Sequence, residues 1–146
     1  MNRGYFGIGI YHPKAGINIG TLWRSAYNFG ASFIFTIGRR YKSQSSDTTK
    51  TPRHIPLYHY LSFEDFNRKR PAESRLVAIE QIENAKNLKD FSHPLQAIYL
   101  LGAEDYGIPK EVLDKCNFKV EIKTPMCLNV AVAGSIVMFD RNNKTI

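Results

Sequence analysis

Cysteine is scarce: Cys116 and Cys127 are the only two, and no Cys/His cluster has the spacing of a zinc site. This argues against a disulfide framework and against a structural metal. The four histidines, His12, His54, His59 and His93, are scattered, and each reads as a surface or packing residue. Long apolar runs are missing, so no segment is expected to cross a bilayer. The opening MNRGYFGIGIYHPKAG carries a basic residue near its front, but its apolar run is too short for a signal peptide. A reducing, cytoplasmic setting is therefore expected, with no membrane partner. Repeats, low-complexity tracts and clear linkers are absent, and 146 residues read as one domain over 1–146. Acids are also short, with 13 Asp and Glu against 20 Lys and Arg, a net charge of +7. That excess favours a polyanionic partner, because cations that neutralise phosphates release counterions; a merely basic surface is the other reading.

What is present is a globular composition, 43% hydrophobic and 23% charged. Apolar runs of strand length at 5–11, 32–38, 75–80, 97–102 and 118–123 alternate with helix-length segments at 18–30, 62–69, 109–116 and 128–141. The run at 55–60 is a candidate short extra strand. Such alternation predicts an α/β fold, a mostly parallel sheet with helices on both faces. Ligands of such sheets bind beyond the carboxyl ends of the strands, which makes the loops after strands the place to look. The polar segment 39–53 breaks the pattern. It holds Arg39, Arg40, Lys42, Lys50 and Arg53 against the single acid Asp47, and reads as an exposed loop suited to phosphate contacts, with Tyr41 able to stack on a base.

Three loops have the residues for chemistry. In GINIGTLWR, Asn18 suits the cap of the following helix, while Gly20 and Arg24, four apart, share one face with Thr21 beside them. A glycine one turn below an arginine leaves room for a phosphate or ribose near a helix N-terminus; an ordinary capped helix with a surface arginine is the plainer reading. LLGAEDYGIPKEV turns between Gly102 and Gly107 before a helix near Pro109, with Glu104 at the strand's carboxyl end. It lacks the Lys-Ser/Thr of a P-loop, and GIGIYH near the N-terminus is no dinucleotide fingerprint. In TPMCLNVAVAGSIVMFD, Pro125 keeps the lead-in out of helix, and Asn129 opens a helix apolar almost all round. Leu128, Val132, Ile136 and Phe139 line one face of it, and Ala131, Gly134, Ser135 and Met138 a second, mostly small one. A helix of that kind can pack into its own domain on one side and against another subunit on the other.

In order and together, these loops resemble the SpoU-type (TrmH-like) RNA ribose methyltransferases of the SPOUT superfamily. The match comprises N-I-G-x-x-x-R (Asn18, Gly20, Arg24), L-L-G-x-E-x-x-G-I (Leu100 to Ile108) and P-M-…-L-N-V-A (Pro125, Met126, Leu128 to Ala131). The resemblance implies an α/β fold with a C-terminal deep trefoil knot, S-adenosylmethionine as cofactor, and a homodimer formed through the C-terminal helix. It implies Arg24 as the residue that activates the ribose 2′-hydroxyl, with Asn18, Glu104 and Asn129 as the other polar catalytic-site residues. Cofactor contacts are implied around Leu100, Gly102, Gly107, Thr124, Met126 and Leu128.

One departure stands out: many family members carry several more residues between Pro-Met and Leu-Asn, ending in Ser-Leu-Asn, and here Cys127 stands where that serine would be. A loop or packing role suits this cysteine, since the family forms no covalent enzyme intermediate. The function expected is methyl transfer to a ribose 2′-hydroxyl of tRNA first, rRNA second. A non-catalytic RNA-binding relative, or an enzyme methylating a base nitrogen, are the alternatives.

Overall fold

The computed structural model describes residues 4–38, 54–103 and 105–146. In chain order the elements are β1 (Tyr5–Tyr11), α1 (Gly16–Phe29), β2 (Phe33–Ile37), β3 (Leu57–Tyr60), α2 (Phe63–Lys69), β4 (Arg75–Ile79) and β5 (Lys86–Asn87). A 3₁₀ turn (Leu88–Asp90) follows, then β6 (Gln96–Gly102), α3 (Lys110–Leu113), β7 (Phe118–Glu121) and α4 (Val130–Asn142). Every strand pairing is parallel, in the order β3-β2-β1-β6-β4-β7-β5. The expected α/β architecture with a parallel sheet is what forms.

The central strands β1 and β6 each hold five consecutive buried residues, as a strand covered on both faces must. On one face Phe6, Ile8 and Ile10 meet Leu22 and Ala26 of α1 and Val137 and Met138 of α4. On the other, Phe35, Leu76, Ile98 and Leu100 meet Phe63 and Phe66 of α2 and Val112 and Leu113 of α3. Gly7 and Gly9 open β1 to this second layer, where the Phe33 and Phe35 rings occupy the space a Cβ would fill.

Helix α4 lies on α1 through its small residues. A Cβ on Gly134 would stand 2.6 Å from Leu22 Cδ1 and 3.0 Å from Leu101 Cδ1, so the glycine, which weakens a helix interior by about 1 kcal/mol, is what lets the helix seat. Beside it Ser135 Oγ lies 2.9 Å from Ser25 Oγ. The face with Val132, Ile136 and Phe139 points outward instead, Phe139 being 59% exposed. Together with Phe29 it borders a shallow apolar groove between α1 and α4.

Three local expectations need correction. Helix α1 begins at Gly16, with Ala15 as its N-cap, so Asn18 sits inside the first turn rather than capping it. The Asn18 N–H bonds to the Ala15 carbonyl at 3.2 Å, and its side chain is engaged by Asn129. Pro109 is the N-cap of α3 rather than its first residue, and α3 ends at Leu113 in a tight turn where Cys116 N–H reaches the Leu113 carbonyl. The two-residue strand β5 had no periodic signal to reveal it.

Candidate active site

The carboxyl ends of β4, β6 and β7 converge on one cleft, closed on the far side by the start of α4. Its wall is apolar: Ile79, Leu101, Ile122, Leu128, Val130 and Ala133, with Ala103 and Cys127 nearer the loops. The cleft encloses about 590 Å³ of empty space, part of it open to solvent. Such walls suit a flat heteroaromatic ring.

Tight loops build the rim. After β6, Ala103 and Gly107 form an isolated antiparallel bridge, with Gly107 N–H bonded to the Ala103 carbonyl at 2.9 Å. Gly107 takes φ +64°, a conformation that favours glycine, and a Cβ on Gly102 would sit 2.8 Å from the Gly107 backbone. The loop after β7 is held by Gln81, whose Nε2 lies 2.6 Å from the Ile122 carbonyl and 3.0 Å from Thr124 Oγ1. The Thr124 hydroxyl in turn donates to the Met126 carbonyl at 2.6 Å.

Among the described residues one carboxylate lines the cleft, Glu80, directly after the last residue of β4. Burial raises its pKa above the ordinary glutamate value, and a hydrogen bond from the Ile108 backbone N–H partly offsets the rise. Its oxygens lie where side chains on Gly102 and Gly107 would otherwise be.

The first turn of α1 meets the mouth of this cleft where Asn129 Nδ2 donates to Asn18 Oδ1 at 3.0 Å, across 111 residues of sequence. Asn129 also caps α4, its Oδ1 accepting from Ala131 N–H at 2.9 Å and Val132 N–H at 3.2 Å. Arg24 is exposed, farther along α1. Lys14 and Asp105 form an ion pair at 2.7 Å between the loops after β1 and β6; both are exposed, so it adds little stability.

Of the residues expected from sequence, Gly102, Gly107 and Leu128 line the cleft. Thr124 shapes its rim, and Met126, 80% exposed, stands outside the wall. The Leu100 side chain is in the core against α2 and α3, while its neighbour Leu101 faces the cleft. Asn18 and Asn129 are brought together. Glu104, Arg39, Arg40, Lys42, Lys50 and Arg53 lie outside the described residues. Glu80 and Gln81 are the residues sequence reasoning missed: they follow a strand, like the three loops singled out, but close a run that reads simply as its end.

The expected cofactor can be tested against this geometry. S-Adenosylmethionine needs an apolar slot for adenine and polar groups for its ribose and amino-acid parts. The cleft has the slot, glycine backbone at its rim and Glu80 and Gln81 beside it, so the residues present fit the group. Among the described residues no group of His, Cys, Asp and Glu could hold a metal ion, and no helix is long and apolar enough to cross a membrane.

Comparison with known proteins agrees with this reading. The chain is 24% identical to a putative TrmH family tRNA/rRNA methyltransferase of Staphylococcus haemolyticus, covering 84% of this chain and 52% of that protein. It is 26% identical to the tRNA (cytidine(34)-2′-O)-methyltransferase of Ancylobacter novellus, covering 94% of this chain and 92% of that one. The chain thus spans about half the length of the staphylococcal relative and nearly all of the other. Its fold matches a structure reported for the 2-OH methylation of C/U34 on tRNA with a TM-score of 0.84 at 22% identity, over 95% of both chains. It also matches an AdoMet-bound rRNA methyltransferase from Sinorhizobium meliloti with a TM-score of 0.82 at 24% identity, over 94% of this chain and 56% of that one. The model of the SpoU rRNA methylase family matches residues 6–139, from β1 into α4, and the chain belongs to that family.

Proposed function

We propose that the protein transfers a methyl group from S-adenosylmethionine to a ribose 2′-hydroxyl of RNA. The observation that carries this is the Asn18–Asn129 hydrogen bond, which ties the first turn of α1, the helix that carries Arg24, to the mouth of the apolar cleft. When bound, the cofactor supplies a methyl already activated on a sulfonium, so the chain's tasks are positioning and charge stabilisation. A guanidinium is a poor base, so the role of Arg24 is to hold the nucleotide and stabilise the oxyanion as the hydroxyl proton leaves to water or a phosphate oxygen. Asn18 and Asn129 hold the starts of α1 and α4 in register, and Glu104, by family resemblance, is the further polar residue of the site.

Several finer features belong to the same proposal. The domain over 1–146 ends in a trefoil knot around the cleft, supported by the likeness to solved family members. The outward face of α4, with Val132, Ile136 and Phe139, is the homodimer interface, supported by its exposed apolar character. The substrate is tRNA, supported by the name of the relative that matches nearly full length, and the setting is the cytoplasm. Arg39, Arg40, Lys42, Lys50 and Arg53 contact the RNA backbone, supported by charge.

The test is to incubate the protein with labelled S-adenosylmethionine and tRNA, digest to nucleosides and identify the product. A 2′-O-methylnucleoside is expected. A base-methylated nucleoside would overturn the ribose assignment, and absence of cofactor binding by calorimetry would favour a non-catalytic relative.

A further inference from the structure

Resting on the cofactor reading above, we propose that Glu80 recognises the ribose of the bound cofactor, its carboxylate accepting hydrogen bonds from the two vicinal hydroxyls. Three observations converge on it. The backbone is pinned, since Glu80 N–H bonds to the Val120 carbonyl at 3.0 Å, so the side chain projects from a fixed point between β4 and β7. Next, the carboxylate lies against the glycines of the loop after β6: a Cβ on Gly102 would stand 2.7 Å from Oε2, and one on Gly107 would stand 2.5 Å from Oε1. Finally, the group is short of partners for its environment. It is desolvated and receives the Ile108 N–H, yet among the described residues no Lys, Arg or His forms an ion pair with it.

An ionised carboxylate offers about four acceptor positions, so one backbone donor leaves most of them for a ligand. What it needs from that ligand is a pair of donors. Adenine ring nitrogens are acceptors and a sulfonium has no proton to donate, while the adenine 6-amino group and the α-ammonium are single-nitrogen donors at the two far ends of the cofactor. A vicinal diol has two O–H donors at the spacing of the two carboxylate oxygens, the way acidic residues hold ribose in dinucleotide sites. Position selects the ribose as well. Glu80 adjoins Ile79 and faces the strand end that carries Leu101, the apolar wall suited to the base, and ribose is the group attached to the base.

Calorimetric titration tests this without turnover. Wild-type protein is titrated with S-adenosylmethionine, S-adenosylhomocysteine and S-adenosylhomocysteine lacking the ribose 3′-hydroxyl; Glu80→Gln is titrated with the same three. The deoxy compound is expected to bind wild type roughly ten- to a hundredfold more weakly than its parent, the scale of one hydrogen bond to a charged group. Glu80→Gln should lose a comparable factor for both full ligands and little more for the deoxy one. Equal wild-type affinity for parent and deoxy compound would overturn the proposal, and needs no variant. So would a Gln variant that weakens all three alike, which marks a purely structural role, or one that weakens only the sulfonium, which marks a charge contact. Wild-type binding of none of the three would instead sink the cofactor reading on which this rests.

Discussion

The two ends of α4 carry polar residues on a helix that is otherwise apolar, and they are used in opposite ways. At its start, Asn129 is exposed, accepting from two amides of its own helix and donating to Asn18. At its end, Arg141 is buried and fully engaged. Its guanidinium donates to the carbonyls of Pro94 at 2.7 Å and Leu95 at 2.9 Å and to the Tyr99 hydroxyl at 3.1 Å, and it lies 5.1 Å from the Phe6 ring centre. Tyr99 is bonded to His93 at 2.6 Å, and His93 to Asp140 at 2.7 Å. Lys144 completes the chain with a 2.8 Å contact to Asp140. A buried network holds the helix down, whereas the polar residues at its start stand exposed beside a cleft. The difference in burial, more than residue type, separates structure from site.

The sharpest way to break this contrast is to truncate one residue of each kind. Arg24→Ala is expected to lower methyl transfer by at least about a hundredfold, the effect of deleting one charge-stabilising donor. Its melting temperature and cofactor affinity should stay near wild type, since exposed substitutions shift stability by about 0.5 kcal/mol or less. Turnover comparable to wild type would remove Arg24 from the mechanism. Arg141→Met should do the reverse. It removes the charged donor shared by the part-buried Pro94 and Leu95 carbonyls and the buried Tyr99 hydroxyl, costing about 3 kcal/mol, which lowers the melting temperature by roughly 6–12 °C. Below that temperature the variant should bind cofactor normally; selective loss of binding with an unchanged melting curve would contradict the structural assignment.

Much of this architecture is legible in the chain because buried parallel strands read as unbroken apolar runs. YFGIGIY and the AIYLLG run appear as β1 and within β6 nearly at the expected bounds. The strand order is not legible, since nothing in the runs says that β6 inserts beside β1. Nor is the network at the end of α4, whose members Tyr99 and Arg141 are 42 residues apart and individually ordinary. The motif residues that meet, Asn18 and Asn129, were visible only through family resemblance; by local rules each reads as a cap, and for Asn18 that rule fails. Glu80 escaped because a polar residue at the end of a strand signals only that burial has stopped, while here the loops after β6 fold over it.

A subtler substitution separates the two roles of Asn129. Serine caps helices as well as asparagine but is too short to reach Asn18, so Asn129→Ser should keep the melting temperature while lowering turnover several-fold. Alanine removes the cap too, and Asn129→Ala should cost about 1 kcal/mol of stability in addition. Thermal melts and single-turnover assays on both variants decide it. A serine variant with wild-type turnover would reduce Asn129 to a cap.

The smallest expected effect is in pH dependence, where the two regions pull in opposite directions. Burial lowers the pKa of His93 below the ordinary histidine value, although Asp140 works against the shift and Arg141 and Lys144 add to it. In the native state the ring is therefore neutral, donating Nε2–H to Asp140 and accepting the Tyr99 hydroxyl at Nδ1, while burial pushes the Tyr99 pKa up to about 12. The unfolded chain takes up a proton at this histidine near pH ~6.5 and the folded one only at lower pH, so this stabilisation is present above pH ~6.5 and declines on acidification below it. Glu80 has the opposite sign: its raised pKa means the folded state holds a proton longer, so its contribution is present at low pH and is lost as pH rises through the folded value. Urea midpoints at pH 7.5 and 5.5 read both. His93→Gln should flatten the fall in midpoint between them, and Glu80→Gln should steepen it. A histidine variant with an unchanged slope would mean that the buried ring is not what the far end of α4 titrates through.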